Sequence, residues 1–257
     1  MKKLILINDK KMNVNIFGDG YIPIIVLHGL GAKNPTKDFN LLINEFISDS
    51  SLKIILIEYF GCGLSDDSCE RRNNQNIVNE IRVALKSLNL IPPYILIPHS
   101  MSGLYSLYYA NKYPEEIFAI IGIDIPTPKL CLEYFKGDRY KQYSLDEVKD
   151  IGMTTAYLNE WNEIINNAKE LKEIKYPKNL NVISFLSSYN VNEMEKALKE
   201  KLITKNWTQM HEELISNPKI QHIQVLEGDH WLHRNQYDKI YEETKRITAK
   251  YNIQIRN

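Results

Sequence analysis

Disulfide chemistry has little to work with in this chain. Its three cysteines, Cys62, Cys69 and Cys131, are few and odd in number, and no pair has a CxxC spacing, so they fit reduced thiols in a cytoplasmic protein. Excess charge is missing too. The 32 basic and 32 acidic side chains cancel, which leaves no electrostatic footprint for nucleic acid or an anionic membrane. The lysines between 196 and 205 alternate with acids at helical spacing and read as a solvated helix face. A long apolar run is absent near the start, where Leu4 to Ile7 stops at Asn8, too short to direct export or to span a bilayer. No GxxxxGK[ST] phosphate loop is present, and Gly61-Cys62-Gly63 lacks the third glycine of a dinucleotide fingerprint, so no cofactor is expected. His230 and His233 form an HxxH pair without a third ligand of clear spacing, so no metal is expected. Neither an internal repeat nor a low-complexity linker breaks the chain.

What is present is a rhythm of buried strands and amphipathic helices. Strands near Lys3–Ile7 and Met12–Phe17, separated by Asn8-Asp9-Lys10-Lys11, read as a hairpin. Ile22–Leu27, Leu52–Ile57, Tyr94–Pro98 and Ile117–Ile123 are continuous apolar runs, the mark of strands covered on both faces. Between them, Phe39, Leu42, Ile43 and Phe46 fall on one helical face, with Thr36 as the expected cap, and Ile77, Ile81, Ala84, Leu85 and Leu88 fall on another. The alternation predicts right-handed crossovers and a mostly parallel sheet. From Pro126 to Pro177 the rhythm gives way to charged, tyrosine-bearing helical patterns. We expect residues 126–177 to be a helical cap inserted into a core made of 1–125 and 178–257, supplying pocket walls rather than the main core. Strands at Leu180–Leu186 and Ile220–Leu226 and a helix after Asp238 complete an eight-stranded α/β domain.

Ser100 sits where the strand ending at Pro98 meets the helical run Leu104–Ala110. At such a corner a hydroxyl projects above the sheet edge, beside the first free N–H groups of the helix. A serine hydroxyl is a weak nucleophile and needs a base that is itself oriented by a third group. Of the six histidines, His211 and His222 read as ordinary surface or strand positions, and His99 would point away from its neighbour Ser100. His230 follows the last strand and lies at the same sheet edge as the serine.

Four segments in this order, His28-Gly29, Glu58-Tyr-Phe-Gly-Cys-Gly-Leu-Ser65, Pro98-His-Ser-Met-Ser-Gly103 and Gly228-Asp-His230, resemble the α/β-hydrolase fold family over nearly the whole chain apart from the cap. The resemblance implies Ser100 as nucleophile, His230 as general base, and the backbone N–H groups of Leu30 and Met101 as the oxyanion hole. The elbow departs from G-x-S-x-G at Pro98 and Ser102, which stand in the places of its two glycines.

For the acid the sequence offers alternatives. Family members usually place it after the seventh strand, where this chain has Asn190, with Glu193 in the same loop. Asp124 is the other carboxylate, and it is preferred: Gly122-Ile-Asp-Ile-Pro126 resembles the segment of pancreatic-type lipases in which the acid follows strand six, at a similar spacing of 24 residues from the nucleophile. The function implied is a serine hydrolase acting on a small carboxylic ester, less so an amide, through an acyl-enzyme. The alternative is a lyase-like or ligand-sensing member that keeps the pocket without acyl transfer.

Overall fold

The computed structural model describes residues 1–255. Its eight strands are β1 (Lys2–Ile7), β2 (Lys10–Phe17), β3 (Ile22–Leu27), β4 (Leu52–Ile57), β5 (Tyr94–Pro98), β6 (Ile117–Ile123), β7 (Asn181–Ser187) and β8 (Gln221–Leu226). The helices, in chain order, are α1 (Pro35–Asp38), α2 (Asn40–Phe46), α3 (Asn74–Ser87), α4 (Ser102–Lys112), α5 (Pro128–Tyr134), α6 (Leu145–Asp150), α7 (Thr155–Leu171), α8 (Ser188–Lys199), α9 (Trp207–Glu212), α10 (Leu232–Asn235) and α11 (Tyr237–Ile255). One sheet holds all the strands in the order β1-β2-β4-β3-β5-β6-β7-β8. The β1/β2 hairpin is antiparallel, as is its junction with β4, and every pairing from β4 onward is parallel.

The continuous apolar runs are strands with both faces covered. Ile25 and Leu27 of β3 join a buried cluster with α3, α4 and α7, whereas the alternate residues Ile24 and Val26 join a second cluster with α2 and α11. Strand side chains point to opposite faces in turn, so one uninterrupted run feeds both layers. Parallel strands progress in one direction, so the carboxyl ends of β3, β5, β6, β7 and β8 gather along one edge, and the loops leaving them meet there.

Two expectations need correction. The cap of the helix after β3 is Asn34, whose side chain accepts from the Lys37 N–H at 3.1 Å, while Thr36 lies inside α1 with its hydroxyl 3.2 Å from Glu58 Oε1. Residues 126–177 do form helices without a strand, yet Ala156, Ile164, Ala168 and Leu171 of α7 are buried in the cluster that contains β3, β4 and β6. The segment therefore contributes to the main core. Asp67, in the loop after β4, holds the N-terminus of α7 by accepting from the N–H groups of Thr155 and Ala156, both at 2.9 Å.

Candidate active site

Ser100 is the middle residue of the three-residue corner between β5 and α4, with φ of 54°. A left-handed backbone is costly for a residue with a Cβ, about 1–3 kcal/mol, and persists only where surrounding bonds enforce it. Here they do. His99 N–H donates to Leu27 O on the β3 side at 2.9 Å, Ser100 N–H donates to Ile123 O on the β6 side at 3.1 Å, and Gly103 N–H returns to Ser100 O at 2.9 Å. The same alternation explains Pro98. Its missing N–H would face β6 at a gap in the pairing, between Leu96↔Ile120 and the His99↔Ile123 bridge. Gly29 is required by closeness: a Cβ there would stand 2.9 Å from Ser100 Cβ.

Asp124 ends β6, also with positive φ (49°), and is 1% exposed. Its N–H donates to Phe185 O at 2.7 Å, extending the pairing with β7 by one bond. The carboxylate receives four donors. Ser187 gives its N–H to Oδ1 at 2.7 Å and its hydroxyl to Oδ2 at 3.1 Å, Asn190 gives Nδ2–H to Oδ2 at 2.6 Å, and His230 gives Nδ1–H to Oδ2 at 2.7 Å. These donors satisfy the oxygens of a carboxylate removed from water. The short Nδ1 contact puts the His230 proton on Nδ1 and leaves Nε2 as an acceptor.

The structure thus brings Asp124 to His230 and leaves Glu193 apart. Glu193 lies on α8 and pairs with Lys196 Nζ at 2.6 Å on the surface, apart from His230. Asn190, which occupies the acid's usual position, holds Asp124 instead of replacing it. Ser187 is a site residue that the sequence analysis did not single out. In the structure Ser187 caps α8 by accepting from the Asn190 N–H at 3.1 Å. Its signal was the small polar run Ser187-Ser188 directly after an apolar strand.

Ser100, Asp124 and His230 share a cavity of about 300 Å³ walled by Leu130, Tyr134, Phe135, Met194 and Trp207. No hydrogen bond joins the Ser100 hydroxyl to His230 among the described residues. The backbone N–H groups of Leu30 and Met101 likewise donate to no protein acceptor among the described residues, although both flank the elbow. A larger groove of about 910 Å³ runs between α3 and the start of β5, past Arg82, Ile91 and Glu116. It contains no nucleophile and base pair, so size alone does not locate the site.

Behind His230 the histidines are structural. His99 Nε2 donates to the His230 carbonyl at 2.9 Å and anchors that loop to the end of β5. His233 stacks on Phe39 with centroids 4.1 Å apart, and neither of its ring nitrogens has a partner among the described residues. Burial lowers His233 to about 3, with the nearby Arg234 charge acting in the same direction. His28 is lowered to about 4, mainly by burial. His211 is not a surface residue as the sequence suggested. It is buried, faces the Ile125 carbonyl through Nε2 at 3.0 Å, and is lowered by that burial to about 4. The HxxH pair is split between two tasks, one ring on Asp124 and the other on Phe39.

Comparison with known proteins agrees with this architecture. The chain is 36% identical over 128 residues to the uncharacterised protein YbdG of Bacillus subtilis (strain 168), covering 50% of this chain and 39% of that one. It is 28% identical over 117 residues to a cis-3-alkyl-4-alkyloxetan-2-one decarboxylase of Shewanella oneidensis, covering 44% of this chain and 35% of that one. The match thus spans less than half the length of either curated relative. The crystal structure of epoxide hydrolase VrEH1 from Vigna radiata superposes with a TM-score of 0.68 over 96% of this chain and 98% of that one at 14% identity, a likeness of fold alone. Residues 22–173 match the model of the alpha/beta hydrolase fold family, and since that span runs from β3 through the elbow and the Asp124 turn to the end of α7, the chain belongs to that family.

Proposed function

We propose that the protein is a serine hydrolase that cleaves a small carboxylic ester, with an amide as the lesser substrate, through an acyl-enzyme on Ser100. The observation that carries this reading is the 2.7 Å bond from His230 Nδ1 to a buried, fully supplied Asp124 at a cavity lined by Ser100. In the proposed cycle the free Nε2 of His230 takes the Ser100 proton as Oγ attacks the carbonyl carbon. Asp124 holds the ring and stabilises its positive form. The N–H groups of Leu30 and Met101 receive the oxyanion, where donors placed in advance act only as charge develops. The imidazolium then protonates the departing alcohol, and His230 next activates water, which releases the acid and restores Ser100.

The cavity walls named above are uncharged, which favours a neutral, apolar acyl group. Residues 126–177 act in this reading as a helical cap, since Leu130, Tyr134 and Phe135 come from it. Three free cysteines, two of them buried, favour a cytoplasmic setting. No described helix is long and apolar enough to cross a membrane.

A second reading, a pocket-retaining protein without hydrolytic chemistry, is favoured by the match to a decarboxylase and by the unbonded Ser100 hydroxyl. A fluorophosphonate probe separates the two. Stoichiometric modification mapped to Ser100, with turnover in a panel of short and long p-nitrophenyl esters, aminoacyl amides and lactones, supports the hydrolase; folded protein that takes up no probe supports the alternative.

A further inference from the structure

The second departure from the elbow pattern has a structural role in this chain. Ser102, which stands where G-x-S-x-G ends in glycine, is fully buried. Its hydroxyl donates to the carbonyl oxygen of His28, at the end of the neighbouring strand β3. That uses its single proton, so in the 2.9 Å pair with Tyr59 the tyrosine Oη is the donor. Tyr59 in turn gives its backbone N–H to His28 Nε2 at 3.0 Å. With Nε2 accepting, the ring proton is on Nδ1, and Nδ1–H donates to Gly29 O at 2.8 Å. The depressed His28 pKa, about 4, keeps this neutral tautomer in place.

The peptide bond is planar, so fixing its oxygen fixes its N–H. The Gly29 oxygen belongs to the same peptide plane as the Leu30 N–H, and that plane is oriented by His28 Nδ1. The plane before it, joining His28 to Gly29, is oriented by Ser102. Ser102 also follows Met101, the other N–H donor, and its own N–H returns to His99 O at 3.3 Å. One side chain therefore ties the turn carrying one donor to the turn carrying the other. A glycine at this position would leave the two turns linked only by the sheet.

We propose that Ser102, through His28 and with Tyr59 as its donor, is a positioning residue that sets the separation and direction of the Leu30 and Met101 N–H groups toward the oxyanion. The proposal rests on the ester-cleavage reading, and the test distinguishes failure of either. The measurements are kcat and KM on the best p-nitrophenyl ester, and inhibition by an arylboronic acid, which forms a tetrahedral anionic adduct with a serine hydroxyl. Ser102→Ala is expected to lower kcat about 10- to 100-fold with KM within about 2-fold, because misplaced donors fail the transition state and not the ground state. Boronate affinity is expected to fall by a similar factor, and the pH profile of kcat/KM to keep its midpoint, since His230 is untouched. A role in packing alone would lower the melting temperature and leave kcat and boronate affinity within about 2-fold of the parent, which would overturn the proposal. Should Ser102→Ala fail to fold, Tyr59→Phe decides: a fall in kcat at constant KM supports the proposal, and unchanged kcat overturns it. Failure of the underlying reading shows separately, as absence of probe labelling and ester turnover in the parent protein.

Discussion

Two non-glycine residues with left-handed backbone, Ser100 and Asp124, stand at the ends of adjacent strands, and both face the same cavity. Strain of this kind is retained where neighbouring bonds over-determine it, and here those bonds come from β3, β6 and β7. Asp124 is the more demanding position, because its buried carboxylate must accept from His230. Asp124→Asn presents an amide in place of that acceptor and no charge for the imidazolium. It is expected to lower kcat/KM by about 10³- to 10⁴-fold with little change in the circular dichroism spectrum. Glu193→Gln removes only an exposed ion pair and is expected to leave kcat/KM within about 2-fold. The reverse ranking in ester assays would place the acid in α8. Ser100→Ala is expected to abolish ester turnover and shift the melting temperature by no more than about 2 °C, because the hydroxyl makes no hydrogen bond among the described residues and little packing is lost. Residual wild-type turnover in that variant would remove Ser100 from the mechanism.

At the scale of elements, the elbow depends on how closely α4 approaches the turn after β6. A Cβ on Gly103 would lie 2.5 Å from Ile125 Cβ, a distance that no rotamer change relieves. Gly103→Ala is therefore expected to cost about 1–3 kcal/mol through overpacking. In a domain of this size that is a drop of several degrees in melting temperature, read by differential scanning calorimetry; an unchanged value would mean α4 can shift freely. Helix α7 is the other informative element. Its buried face joins the sheet's own cluster, and Asn167 receives the Asn74 N–H at 2.8 Å, tying α7 to the start of α3. Excising residues 126–177 with a short linker is expected to give protein without a cooperative thermal transition. A soluble, cooperatively melting remnant would show that the sheet does not need α7.

For the whole molecule, the buried histidines make stability depend on acidity. His28 and His211 are lowered to about 4 and His233 to about 3, each chiefly by burial, and His99 is also lowered. The unfolded chain protonates these rings near pH 6.5, whereas the folded protein keeps them neutral, so the unfolded state binds more protons between about pH 6.5 and 4. Stability therefore falls as pH falls through that window, by about 2 kcal/mol per histidine at pH 5 for the three with stated values. Buried Glu80 and Glu160, raised by desolvation, act in the opposite direction and offset part of the loss in stronger acid. The melting temperature is expected to fall from pH 7 to pH 5. His233→Phe, which keeps the stack on Phe39 without a titrating ring, is expected to make that fall shallower. An identical slope in the variant would show that His233 charges freely in the folded state.

Much of this architecture was legible in the sequence because its causes are local. Continuous apolar runs gave β3, β4 and β6 to the residue, and the small residues after Pro98 marked the elbow, since periodicity and turn chemistry act within a few positions. Asp124 could be named as a candidate from its place after β6. That it receives His230, 106 residues away, while Glu193 turns outward to Lys196, was decided by the register and twist of β6, β7 and β8. The same holds for Pro98, which falls in a gap of the β5–β6 ladder, and for Thr36, displaced from its expected cap by Asn34. Ser102 read in sequence as a mild departure from a pattern, and only packing brought the His28 carbonyl to its hydroxyl. Hydrophobic periodicity specifies which elements form and which faces they bury, and so it determined the fold. Which polar groups meet at the sheet edge depends on angles between elements distant in the chain, and those exist only once the core has packed.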